Sequence, residues 1–158
     1  YLEYFHGLVT GRPPKINLLD EKYCQSFLRH AISKDFIISS HDVGDGGLSV
    51  SLSECCILSS KGATIKLESK NIREDNLLFS EGGSRILFSL NQNQESNFLD
   101  FLNYESSNLN QNIYVKKIGY VSAENLNISV EGKVLCNIRV EDLTEKFNNS
   151  ISSCFNNE

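Results

Sequence analysis

Residues Asp42 to Gly47 read DVGDGG, two carboxylates and three glycines in six positions, between the apolar run FIIS and a segment with helical apolar spacing. A strand that ends and a helix that begins within about five residues must reverse direction sharply. Gly44, Gly46 and Gly47 permit positive φ and close backbone approach at such a turn. The helix behind it offers unpaired N–H groups and a positive dipole end, which suit a phosphate or a carboxylate. Asp42 and Asp45 would repel a bare phosphate. They suit a Mg²⁺ lying between carboxylate and phosphate, because Mg²⁺ commonly takes one or two carboxylates together with nucleotide oxygens. The same residues also make an ordinary turn, since Asp is a good N-cap and Asp-Gly a common turn former. His41 reads either as a base or ligand, or as a hydrogen-bonded histidine closing a strand.

A second polar, glycine-rich break lies in LLFSEGGSRILFSL, where Glu81, Gly82, Gly83 and Arg85 precede a strand pattern. It could present a carboxylate on a mobile loop to a substrate. An exposed Glu81–Arg85 ion pair, worth little energetically, or a plain helix-to-strand turn would use the same residues.

The elements that must position these residues follow from periodicity. Helical spacing runs over Tyr1–Leu8 and ends near Gly7 or Gly11. GRPPKINLL then supplies breakers, because Pro13 and Pro14 each lack a backbone donor and restrict their predecessor. We therefore expect a linker over 1–19 and a domain over 20–158. Asp20 is the expected N-cap of a helix carrying Cys24, Phe27, Leu28, Ala31 and Ile32 on one face. DFIIS predicts a short buried strand. Leu48, Leu52, Cys55 and Cys56 predict a second helix closed by Gly62. ATIKL and SRILFSL predict strands, NIREDNLLFS a short helix, and NQNQESNFLDFLNYESSNLNQN one exposed helix with polar flanks. NIYVKKIGYV, NLNISV and KVLCNIRV predict further strands, the last two joined by the turn EG, and a final helix spans about 141–154. Helices and strands interleave without a strict βαβ repeat, which predicts an α+β fold, a mixed sheet covered by helices.

The totals narrow the function classes. At 158 residues with 40% hydrophobic residues the chain can bury a core. Its net charge of −5 and scattered basic residues argue against a nucleic-acid surface. No apolar run approaches the roughly 20 residues that span a bilayer, and no signal segment opens the chain. The five cysteines, Cys24, Cys55, Cys56, Cys136 and Cys154, have no framework spacing. They read as buried reduced thiols of a cytoplasmic protein. The opening YLEYFHGLVTGRPP begins in mid-pattern, as a piece of a longer polypeptide would.

Together, in this order and spacing, SSHDVGDGGLSVSLSECC and LLFSEGGSRILFSL resemble the C-terminal domain of the aminoimidazole ribonucleotide synthetase superfamily. Within it they are most similar to the second such domain of the formylglycinamide ribonucleotide amidotransferases, or phosphoribosylformylglycinamidine synthases. The pattern there reads approximately AHDxSDGGLxxxLAE and, later, LFxExxSR. YLEYFHGLVTGRPP looks like the stretch that joins a preceding ATP-binding domain to this one. The resemblance covers Tyr1 to about Leu90, with weaker support beyond.

The resemblance implies a mixed sheet of ferredoxin-like flavour whose edge, with the apolar side of one helix, is unusually exposed. It implies an ATP- and Mg²⁺-dependent carbon–nitrogen ligase of purine biosynthesis. Such an enzyme activates the amide oxygen of formylglycinamide ribonucleotide and displaces phosphate with glutamine-derived ammonia. Asp42 matches the aspartate that binds Mg²⁺ at an auxiliary nucleotide in large single-chain relatives, and Gly44, Asp45, Gly46 and Gly47 match the adjoining nucleotide-binding turn. Gly44 stands where the family usually has Ser. Glu81, Gly82 and Gly83 align with a substrate-contacting Glu-Ser-Gln motif, of which two side chains are missing. This copy therefore resembles a scaffold-like domain with no catalytic residue of its own. The partners implied are the remaining domains of the synthetase chain, a glutaminase subunit and, in short-form enzymes, a small bridging subunit. A stand-alone nucleotide- or metabolite-binding module, or a domain of another enzyme of the superfamily, would be the alternatives.

Overall fold

A computed structural model of the protein describes residues 1–109 and 113–155, without the side chains of 109 and 151–155. The chain divides into two compact units, one of residues 1–47 and 81–116 and the other of 48–80 and 117–158.

In the first unit, helix α1 (Leu2–His6) ends at Gly7, whose φ of 63° gives the left-handed cap, and none of its residues is buried. Residues 7–17 have no regular structure, and helix α2 (Leu18–Ser33) follows. Its N-cap is Asn17, which is extended and accepts from the Leu19 N–H, so the expected cap at Asp20 is corrected. Asp20 and Glu21 fall instead in the first turn, where the helix dipole favours acids. Strand β1 (Ile37–Asp42) pairs antiparallel with β3 (Ile86–Leu90), from Ile37 opposite Leu90 to Asp42 opposite Ile86. β1 is not the buried strand expected, since this is a two-stranded sheet and Ile38 is exposed.

The segment expected to be one exposed helix forms a 3-10 turn (Gln92–Gln94) and helix α5 (Glu95–Leu109). Its inner face is not exposed. Phe98, 2% accessible, lies at the middle of the core of this unit with Phe27 and Ala31 of α2. The Phe98 ring sits 6.0 Å from Phe27, 5.9 Å from Phe36 and 5.5 Å from Phe88. Asn110–Asn112, the end of that polar segment, lie outside the described residues.

The second unit is built on a four-stranded sheet in the order β4-β2-β5-β6, with β2 (Gly62–Leu67), β4 (Gly119–Ser122), β5 (Asn125–Val130) and β6 (Lys133–Arg139). β2 and β5 are parallel and the other two pairings antiparallel, so the sheet is mixed. Alternation puts Ala63, Ile65, Leu67, Leu126, Ile128 and Val130 on one buried face. Leu52 and Cys56 of α3 (Gly47–Ser59) and Leu78 of α4 (Glu74–Phe79) are buried in the same unit. Helix α6 (Val140–Phe155) follows β6 directly.

Of the described residues of NIYVKKIGYV only 119–121 are strand, and β4 runs one residue further to Ser122. The turn EG is a tight hairpin: Glu131 and Gly132 have φ of 49° and 80°, the double positive φ whose twist matches the flanking strands. Gly62 does not close α3. The left-handed residue there is Ser60, and Gly62 opens β2, where a Cβ would meet the Asn125 backbone nitrogen at 2.6 Å. The expected exposure is present. Tyr120 and Val121 on the edge strand β4 and Phe147 on α6 are largely open to solvent. The α+β class stands, with an antiparallel strand pair in one unit and the mixed sheet in the other.

The aromatic core makes a quantitative expectation. Phe98→Ala should cost about 3–5 kcal/mol in chemical unfolding, the range for a buried ring left as a cavity. Its half-exposed neighbour in Leu99→Ala should cost well under half of that. Equal losses at the two positions would mean that Phe98 does not nucleate the core.

Candidate functional site

Asp42 is the last residue of β1, and α3 begins at Gly47, so four residues carry the reversal. Two glycines of the turn are conformationally required: Gly46 and Gly47 have φ of 79° and 71°. Gly44 is not among the positive-φ residues, which corrects the expectation for that position. The Gly47 N–H donates to the Gly44 carbonyl at 3.1 Å and closes the turn.

The second motif is fixed onto the first. The β1–β3 ladder ends with Asp42 opposite Ile86, and one step further the Val43 N–H donates to the Arg85 carbonyl at 3.0 Å. Beyond the ladder the Glu81 carboxylate accepts from the Gly46 N–H at 3.0 Å. The structure thus brings Asp42, Gly44, Asp45, Gly46 and Gly47 together with Glu81, Gly82, Gly83 and Arg85 in one unit. Glu81 Oε1 meets backbone in this geometry, which ties the loop to the turn.

One residue of the site was not anticipated as such. Glu21, in the first turn of α2, accepts from the Ser84 hydroxyl at 2.8 Å. A Cβ on Gly83 would run into its Oε1. The Cys24 thiol, three residues further along the same helix face, lies 3.8 Å from the Ser84 carbonyl. Ser84 itself has φ of 58°, a left-handed conformation that a non-glycine residue holds only when its surroundings impose it. Nothing local marks it in the sequence, since an acid in the first turn of a helix is already accounted for by the helix dipole.

A cleft of about 310 Å³ opens between α2 and the 82–86 segment, walled by Glu21, Gln25, Asp42, Ser84 and Arg85. Burial draws the half-buried Arg85 guanidinium below the usual arginine range, but an arginine stays charged there. The cleft therefore holds two carboxylates and one fixed cation. The His41 Nδ1–H donates to the Asp42 carbonyl at 2.6 Å, the hydrogen-bonded strand-end arrangement.

The donor set tests the implied Mg²⁺. The Asp42 side chain is 86% accessible, and Asp45 is exposed. Among the described residues no group of three His, Cys, Asp or Glu side chains could hold an ion. These residues fit a Mg²⁺ that completes its octahedron with phosphate oxygens and water, and not one caged by protein alone.

The thiols stand apart from this chemistry. Cys24, Cys55, Cys56 and Cys136 are free, and only Cys56 is fully buried; the side chain of Cys154 lies outside the described residues. Burial, followed by the neighbouring Cys55 and Cys136, pushes the Cys56 thiol up to about 11, which keeps it protonated and unreactive at neutral pH.

Comparison with known proteins places this geometry. Residues 1–131 match the family described as "AIR synthase related protein, C-terminal domain". The chain is 70% identical over 155 residues to the phosphoribosylformylglycinamidine synthase subunit PurL of Prochlorococcus marinus subsp. pastoris, a match covering 98% of this chain and 20% of that protein. It thus spans about a fifth of the length of this curated relative. Among solved structures, Thermotoga maritima PurL complexed with ADP superposes with a TM-score of 0.70 at 15% identity, over 85% of this chain and 26% of that one. The structure of PurLQS from Thermotoga maritima gives 0.69 at 14% identity, over 90% and 24%. At such identities the superpositions speak for the fold. Among the described residues no helix is long and apolar enough to cross a membrane. The chain belongs to the AIR synthase related family, as its C-terminal domain.

Proposed function

We propose that this chain serves a phosphoribosylformylglycinamidine synthase as the second of its C-terminal-type domains. Its role there is architectural, with an auxiliary Mg-nucleotide site rather than a catalytic one. The observation that carries the reading is the junction itself: an accessible Asp42 carboxylate ends a strand beside a backbone turn, in a domain whose relatives are synthase subunits. The reaction to which the domain contributes is the ATP-dependent conversion of formylglycinamide ribonucleotide to its amidine with glutamine-derived ammonia.

In this reading residues 1–19 are the linker from a preceding ATP-binding domain and 20–158 the C-terminal-type domain. Tyr4, Phe5, Val9, Ile16 and Leu18 are all more than half exposed, as side chains that another domain covers would be. The working partners are the remaining domains of the synthetase chain, a glutaminase subunit and a small bridging subunit, in the cytoplasm. Bound Mg²⁺ would supply charge neutralisation between carboxylate and phosphate. This chain's own part is to fix Asp42 at the strand end and to hold the turn that follows. Arg85 is the fixed cation of the same cleft, and the loop 81–85 closes the turn on its other side.

The serine usual in the family at position 44 is absent, but its place is open. A Cβ on Gly44 would lie 3.4 Å from Asp42 Oδ2, ordinary contact, and the backbone there needs no positive φ.

Three outcomes are expected. Calorimetric titration of Mg-ADP into the complete synthetase polypeptide should show one component lost, or weakened about tenfold or more, in Asp42→Asn. Equal heats for both proteins would reduce Asp42 to a turn element. Gly44→Ser should strengthen the Asp42-dependent component about threefold to tenfold by adding one hydrogen-bonding group. The 158-residue chain alone should release no ADP from ATP above background in an ammonia-dependent assay, and steady turnover by it would contradict the architectural role.

A further inference from the structure

The loop 81–85 is tied at both ends, and the two ties are not equivalent. Glu81 reaches outward from the loop to the Gly46 N–H. Glu21 reaches into the loop from α2, taking the Ser84 hydroxyl and filling the space that a side chain at 83 would need. Between them the chain passes through Ser84 at φ 58°, a conformation that costs about 1–3 kcal/mol when unsupported. A loop carrying such a residue relaxes when the group that imposes it is removed. The Glu81 carboxylate would then no longer be delivered to Gly46.

We infer that Glu21 is the positioning residue of this site: by holding Ser84 and occupying the vacancy at Gly83, it sets the 81–85 loop so that Glu81 fixes the turn beside Asp42. Glu21 touches no part of the turn itself and acts through the loop. The inference rests on the reading of the turn as a nucleotide site only for its functional consequence; the mechanical link from Glu21 to Gly46 stands on the geometry alone. It also gives glycine at 83 a reason. A Cβ there forces the Glu21 carboxylate, the far end of a flexible side chain, to shift, so Gly83→Ala should disturb the loop in the same way as Glu21→Ala but less.

Hydrogen–deuterium exchange on the complete synthetase polypeptide tests the link directly, through the peptide spanning residues 43–48. Glu21→Ala should raise exchange at Gly46 about tenfold, the loss of roughly one net hydrogen bond, and Gly83→Ala should raise it by less. The double variant should not exceed Glu21→Ala by more than about twofold, because both act on one contact. Glu21→Gln, whose amide oxygen still accepts from Ser84, should stay near wild type with the same melting temperature. Unchanged Gly46 exchange in Glu21→Ala, or a Gln variant as disturbed as the Ala variant, would overturn the inference. Parallel titrations with Mg-ADP separate it from the functional reading. Faster Gly46 exchange in the Ala variants with no Asp42-dependent binding in wild type supports the link while removing the nucleotide site. Asp42-dependent binding in wild type that survives Glu21→Ala with unaltered exchange removes the link while keeping the site.

Discussion

Two motifs thirty-five residues apart act as one object because, beyond the β1–β3 ladder and the Val43–Arg85 backbone bond, a carboxylate meets a backbone amide, Glu81 to Gly46. The antiparallel pairing of β1 with β3 brings the two segments side by side, but the ladder stops at Asp42 and Ile86. Past that point the chains diverge, one into a reversal and the other into a glycine-rich loop. Without a further contact their geometry would be set by two independent loops. A hydrogen bond to a charged acceptor is worth about 1.5–3 kcal/mol, the same size as the strain held at Ser84. The bond to Gly46 and the bond from Ser84 to Glu21 are therefore each of a size that matters to the shape of the loop.

Most of this architecture was legible as pattern. The i, i+3, i+4 spacing of α2, the alternation of β2 and β5, the two-residue hairpin EG and the short α4 all emerge from local rules, and all occur where those rules place them. The misreadings share one cause, which is tertiary packing that local rules do not see. Phe98 sits in a segment dominated by Asn, Gln and Ser, and composition makes that segment look solvated. One face of α5 nevertheless supplies the centre of an aromatic core. DFIIS is apolar enough for a central strand, yet its sheet has only two strands and leaves Ile38 outside. Gly62 looks like a helix cap because it follows a helix. Its real constraint is the Asn125 backbone, which lies more than sixty residues away in sequence.

The site divides along the same line. Asp42 at a strand end, the permissive glycines 46 and 47 and the acid at 81 could be picked out by type and spacing, because each answers a backbone need visible within a few residues. Glu21 could not. An acid in the first turn of a helix is already accounted for by the helix dipole, and that satisfied local explanation hid a long-range one. Asn17 illustrates the reverse error. Asp20 matched the preferred cap chemistry, but the backbone enters α2 three residues earlier, where extended φ and ψ let the Asn17 side chain reach the Leu19 amide.

Glycine at 82 and 83 looks, in sequence, like the decay of a substrate-contacting motif, and the structure separates the two positions. At Gly82 the nearest atom to an added Cβ is Pro14 Cβ at 4.0 Å, so a side chain there would be accommodated. At Gly83 the Oε1 of Glu21 stands where an added Cβ would go. A side chain at 82 would meet only ordinary contact, whereas one at 83 must first move the Glu21 carboxylate, so the two glycines of one break answer to different constraints.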